Sequence, residues 1–189
     1  MNKVKPTPPK SNNYRGVSIK KRGGPIIKTL KDFMNYLEEL LSSTITTTKD
    51  NFKEFEITDS GLYILHPNFD LESISGEKYL KVGMSVSEKG LKRRLSQHFS
   101  NRYSSTVLGR HLSVDNTLGE KFGFCFSDQK QRKEFLRQYS YFQVLPLKQF
   151  NWTTKEEKKI KRKELKIIES NIEDSLRDKI RYIDKVKDR

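Results

Sequence analysis

Gly61-Leu-Tyr-Ile-Leu65, Tyr79-Leu-Lys-Val-Gly83 and Gly90-Leu-Lys-Arg-Arg-Leu-Ser-Gln-His-Phe99 succeed one another in the middle of the chain and read as strand, strand, helix. The first is a short apolar and aromatic run, the pattern of a buried strand. The loop between the two strand segments carries Pro67, Asn68, Asp70 and Gly76, so they form a hairpin with a long connection. In the third, Leu91, Leu95 and Phe99 recur at i, i+4 and i+8, the spacing of one helix face.

Outward from this block the signals become weaker. Residues 102–126 are mixed and read as loops with short helical or extended pieces. Ser127 or Asp128 is placed to cap a helix reaching about residue 139. Tyr141-Phe-Gln-Val-Leu-Pro-Leu147 is the third strand, with Pro146 marking its end or an edge position. From Thr153 to about Lys187 a stripe of Leu165, Ile168, Ile172, Leu176, Ile180 and Ile183 predicts one long helix, continuous or broken. On the amino-terminal side, Leu30, Phe33, Met34, Leu37, Leu40 and Leu41 predict a helix over 29–41, with Thr29 and Asp32 in the pattern of a capping box. Residues 42–50 are a polar linker.

Three segments result: a basic flexible arm over 1–28, a helix and linker over 29–58, and a main domain over 59–189. The expected fold is a small α/β (α+β) protein. Its three-stranded, mostly antiparallel sheet would be flanked by helices and extended by the arm and the long carboxyl-terminal helix.

Composition narrows the partners. The chain has 189 residues, 38 Lys and Arg against 24 Asp and Glu, and a net charge of +14. Mean hydropathy is -0.81. Such an excess points to a polyanion, DNA, RNA or an acidic membrane surface; the plainer reading is charge that only keeps the chain in solution. The arm carries Lys20, Lys21 and Arg22 among its basic residues and no acid. It would follow a phosphate backbone or serve as a solvated, partner-bound tail. The single cysteine, Cys125, excludes an intrachain disulfide framework and any zinc site needing several thiolates. Within Phe122-Gly-Phe-Cys-Phe126 it reads as a small buried hydrophobe. No segment is long and apolar enough to span a bilayer, and no apolar run follows the basic amino terminus. The expected location is therefore the cytoplasm or nucleus of a cell, or the inside of a virus particle, with no secretion.

Four pieces occur in an order that resembles the GIY-YIG nucleases. Gly61-Leu62-Tyr63 is similar to the first signature, and Lys81-Val82-Gly83, eighteen positions after Tyr63, to the second. Gly90-Leu-Lys-Arg-Arg94-Leu-Ser-Gln-His98 resembles the helix with the family's catalytic arginine, and Glu164-Leu-Lys-Ile-Ile-Glu169 the later helix whose glutamate binds metal. The nearest pattern is the amino-terminal nuclease domain of the bacterial excision-repair endonuclease, shared by restriction and homing enzymes. The likeness covers 59–100 well and 141–175 loosely; 1–58 and 101–140, an insertion, lie outside it. Two positions depart from it. Lys81 stands where most of the family has Tyr, although Tyr79 lies two residues earlier, on the same face by strand alternation. No Asn follows Glu169 by about a dozen residues; the region reads Arg181-Tyr182-Ile183.

The resemblance implies metal-dependent hydrolysis of DNA phosphodiesters, with one Mg²⁺ or Mn²⁺ on Glu169. Arg94 would hold the scissile phosphate and Tyr63 the attacking water, with His98 and Lys81 assisting in charge or proton transfer. The residue chemistry agrees. A guanidinium donates to two phosphate oxygens at once, and Arg94 and His98, four apart, share one helix face. Glu169 falls within the apolar stripe, where a carboxylate is costly unless paired or metal-bound. Backbone contacts would come from Lys20, Lys21, Arg22, Lys92, Arg93, Lys158, Lys159, Lys161, Arg162 and Lys163. Plainer readings also exist: Tyr63 as a packed strand aromatic, Arg94 as one solvated cation among many, His98 on the surface, Lys81 facing solvent, and Glu169 paired with Lys163 or Lys166. A rival from another class is a catalytically inactive scaffold, such as a virion component, that binds nucleic acid or protein neighbours through the arm and the carboxyl-terminal helix.

Overall fold

The computed structural model describes residues 30–99 and 107–183. In chain order the elements are α1 (Leu30–Ser42), β1 (Thr46–Thr47), β2 (Gly61–Pro67), α2 (Glu72–Ser75), β3 (Lys81–Ser85), α3 (Gly90–Phe99), α4 (Val107–Ser113), α5 (Asn116–Phe122), α6 (Gln129–Tyr139), β4 (Ser140–Pro146) and α7 (Lys155–Ser175). Short 3₁₀ turns at Lys148–Phe150 and Arg177–Lys179 flank α7. The expected arm, the cap at Thr29 and residues 184–187 lie outside the described residues.

The strands form one antiparallel sheet in the order β1-β4-β2-β3. It has four strands where three were expected. The extra strand comes from the polar linker: Thr46 and Thr47 pair with Gln143 and Phe142 at the outer edge of β4. Two threonines carry too little periodicity to be read as a strand; the open edge of β4 recruits them. Pro146 ends β4, where it faces Gly61.

Strand β2 is buried on both faces, and its alternation divides the core in two. Tyr63 and Leu65 pack with Leu91, Leu95 and Phe99 of α3, Phe142 and Val144 of β4, and Leu108, Leu118, Phe135 and Leu136 from α4–α6. Leu62 and Ile64 pack on the opposite face with Phe33, Leu37 and Leu40 of α1, Val82 of β3, and Leu165, Ile168 and Ile172 of α7. Segment 107–139 thus supplies much of one core layer, although nothing in its sequence matched the motif block.

Three further expectations change. Cys125 is exposed, not buried. Gly123, at φ 72°, ends α5, and Phe124 and Phe126 then alternate inward onto Phe135 while the residue between them points out. Helix α7 ends at Ser175 instead of about residue 187. Beyond it Ile180 forms a parallel bridge with Tyr79, and Asp115 accepts hydrogen bonds from Arg181 and Tyr182. Leu176 and Ile180 keep their place in the core without helical geometry, because a turn delivers them there. Finally, Tyr79 does not share a face with Lys81. The strand starts at Lys81, and Tyr79 packs in the α7 layer against His66.

Candidate active site

The site lies at the free edge of β3, between α3 and α7. Tyr63 reaches across β3 toward this edge, and Gly83 is what lets it pass. A Cβ on Gly83 would stand 2.3 Å from the phenol oxygen of Tyr63. The second glycine that shapes the site is Gly90, which opens α3 at φ 47°, packed against the carbonyls of Thr58 and Asp59. The start of α3 is tied down by Leu91 N–H donating to Asp59 O (2.9 Å) and by the Ser85 hydroxyl donating to Gly90 O (2.7 Å). Its far end is closed by cations, which a helix carboxyl terminus favours. The Lys133 ammonium donates to Gln97 O (2.7 Å), and the Arg137 guanidinium to Phe99 O (2.7 and 3.1 Å). Burial brings the Lys133 amine down to about 8, with Arg132 and Arg137 adding repulsion.

Held at both ends, α3 places Arg94 and His98 over Tyr63. The Tyr63 hydroxyl and His98 Nε2 are 2.9 Å apart, and both residues are sealed from solvent, at 0% and 1% exposure. Burial raises the Tyr63 phenol, opposed by the positive charge of Arg94 and Lys81. Burial drives the His98 imidazole well below its ordinary value, and Arg94, Lys133 and Lys81 push it the same way. The Arg94 guanidinium hydrogen-bonds the phenol and also donates to Gln97 Oε1 at 3.1 Å. Arginine has only donors, so the phenol oxygen accepts from Arg94. The phenol O–H then donates to Nε2 of a neutral His98, an order that satisfies both ends of the phenol.

Across from α3, α7 presents Glu169. It is 5% exposed, and its Oε2 accepts from Lys166 at 2.5 Å, one of the plainer pairings open in the sequence. Arg94 and Glu169 border one groove of about 460 Å³, together with Arg93, Lys158, Arg162 and Lys166. Glu169 is the one carboxylate among the described lining residues.

The other expected residues divide. Arg93, Lys158 and Arg162 line the groove. Lys92 instead reaches Glu56 at 3.3 Å, and Lys161 donates to Gln149 O at 2.7 Å. Lys159 and Lys163 are exposed and absent from the groove lining. Lys20, Lys21 and Arg22 fall outside the described residues. Lys81 does not face solvent. It is 2% exposed, with its ammonium 3.6 Å from Glu173 Oε1 and donating to Tyr182 O at 3.5 Å. Glu173 was not singled out, yet it stands four residues after Glu169 and so on the same face of α7.

Among the described residues no group of three or more His, Cys, Asp or Glu gathers to hold a metal. Glu169 alone still suits a hard divalent ion, because Mg²⁺ is commonly held by one or two carboxylates, waters and substrate phosphate oxygens. Such an ion would displace Lys166 from Oε2. Among the described residues no helix is long and apolar enough to cross a membrane. Comparison with protein-family models, with curated proteins and with solved structures finds no match.

Proposed function

We propose that this protein binds nucleic acid, DNA foremost, in the groove between α3 and α7, and hydrolyses its phosphodiester bonds as a GIY-YIG-type endonuclease. The observation that carries this reading is the meeting of residues far apart in sequence. Arg94, backed by Tyr63 and His98, faces Glu169 across a groove whose other charged lining residues, among those described, are all cations. A groove of one sign concentrates a polyanion and steers it inward. RNA would satisfy the same phosphate contacts.

Arg94 takes the scissile phosphate, offering two donors to its oxygens. It leaves Gln97 to do so. Tyr63 then positions the attacking water, and His98, kept neutral by burial, holds the phenol in place through the Tyr63 hydroxyl–Nε2 hydrogen bond. Lys81 acts from behind, fixed by Glu173 and adding positive charge beneath the phenol. A divalent ion at Glu169 would neutralise charge developing on the phosphate and lower the pKa of a bound water.

Two features favour a second reading, a module that binds without cutting. Tyr63 is fully buried, and Lys166 already occupies Glu169. A plasmid-nicking assay with Mg²⁺, Mn²⁺ or EDTA, run beside Arg94→Ala, separates the two. Metal-dependent nicking that the variant loses supports the nuclease. Binding without nicking under every condition overturns hydrolysis and leaves the scaffold.

A further inference from the structure

Beside the phosphate groove lies a second cavity, of about 380 Å³, at the start of α7. Its size falls within the ~300–1,000 Å³ typical of small-ligand sites. The two share Ser87 in their walls. Their linings differ in kind. The groove is basic; the cavity is bordered by Asp59, Ser60, Glu88, Asn151 and Trp152, with no Lys or Arg among the described lining residues. Trp152 stands at the junction, with the Lys158 ammonium 4.5 Å from its ring centroid. Lys158 itself lines the groove.

Two observations point to a ligand. First, Ser60 is 1% exposed, and its hydroxyl has no hydrogen-bond partner among the described residues. A buried, unsatisfied hydroxyl bordering a cavity is uncommon and requires an explanation. Second, the polar wall is held in a fixed order. Asn151 Oδ1 accepts from Ser60 N–H (2.7 Å), and Asn151 Nδ2 donates to Asp59 Oδ1 (2.7 Å). An aromatic wall and carboxylate acceptors match the face and edge of a nucleobase. A phosphate would be repelled by the two carboxylates.

We propose that this cavity receives one unpaired nucleobase of the strand whose phosphates occupy the groove, stacked on Trp152 and offering an amino group to Asp59 or Glu88. Carboxylates accept from exocyclic amines, so cytosine, adenine and guanine fit better than thymine. The substrate class becomes nucleic acid with an unpaired nucleotide next to the bound phosphate. The inference rests on the nucleic-acid reading above.

Trp152 is the single tryptophan of the chain, so its fluorescence reports on the cavity directly. The full chain is titrated with end-labelled duplexes carrying one bulged cytosine, one bulged abasic site, or no bulge. Label anisotropy reads binding, and tryptophan emission reads stacking. The bulged cytosine should quench Trp152 and bind at least about five-fold tighter than the paired duplex, the low end of base–aromatic stacking. The abasic bulge should bind without quenching. In Trp152→Ala, checked for folding by circular dichroism, the ratio of bulged to paired affinity should fall to about one. Equal affinities with unquenched emission overturn the base cavity and leave the phosphate groove standing. Failure to bind any duplex overturns the nucleic-acid reading and this inference together.

Discussion

The two walls of the groove are built on opposite principles. The α3 wall is dry and fixed. Its apolar side sits on Tyr63 and Phe142, its carboxyl terminus is closed by Lys133 and Arg137, and it lends the groove a half-buried Arg94 beside the exposed Arg93. The α7 wall is wetter and more heavily charged. Lys158, Arg162 and Lys166 stand on it partly or fully in water, with one buried acid, Glu169, at their base. Geometry therefore resides in one wall and attraction in the other. On the proposed reading, a phosphate drawn in by the α7 cations would meet the guanidinium that α3 carries.

The largest effect should come from the support beneath both walls. Glu173→Ala leaves Lys81 buried without its carboxylate, and breaking a buried ion pair costs about 3–5 kcal/mol. Urea unfolding should register that loss, whereas Lys159→Ala should leave the midpoint unchanged. An unchanged midpoint in Glu173→Ala would mean that water already screens the pair.

Next comes the catalytic division. Glu169→Gln should lower nicking by about 10²–10³, the scale on which loss of one electrostatic stabiliser is felt, while duplex affinity holds or rises. It removes the one acid among the described lining residues of the groove and keeps its phosphate donors. Undiminished nicking would show that another carboxylate serves.

The dry wall should also reveal itself in acid. His98 sits below its ordinary value of 6.5 in the folded protein, so the unfolded chain takes up a proton first as pH falls. Stability is then full above about 6.5 and declines below it, by at most ~1.4 kcal/mol per pH unit for one such group. His66, lowered mainly by burial, acts in the same direction. His98→Gln should be less stable at pH 7.5 but lose less between 7.5 and 5.5. Parallel curves for the variant and the parent would refute a neutral, buried His98.

The smallest effect tests the wet wall. Arg162→Ala should reduce the slope of log affinity against log salt by about one, and Lys163→Ala by less, because only the first lines the groove. Equal changes would place the bound backbone outside the groove.

The helices and strands with strong periodicity could be read directly. α1, β2, α3, α6, β4 and the body of α7 lie close to where apolar spacing and Asp128 put them. The elements that could not be read owe their form to partners. β1 exists because β4 has an open edge, and Cys125 is exposed because a left-handed glycine resets the alternation before it. α7 stops at Ser175, and the chain beyond it is held by Arg181 and Tyr182 on Asp115. The candidate site divides in the same way. Tyr63, Arg94, His98 and Glu169 stood out through the resemblance to the GIY-YIG nucleases, whereas Glu173, Ser60 and Trp152 acquire meaning only from what they adjoin.

Residue order alone thus determined the local elements, the basic charge and the separation of an arginine–histidine helix from a glutamate helix, because each follows from near neighbours along the chain. Tertiary structure alone decided which cations share a groove with Glu169, that Lys81 would be buried on Glu173, and that Tyr63 would pass over Gly83 into contact with His98. These outcomes depend on burial and on contacts across 35 to 101 positions of sequence, which no local pattern encodes.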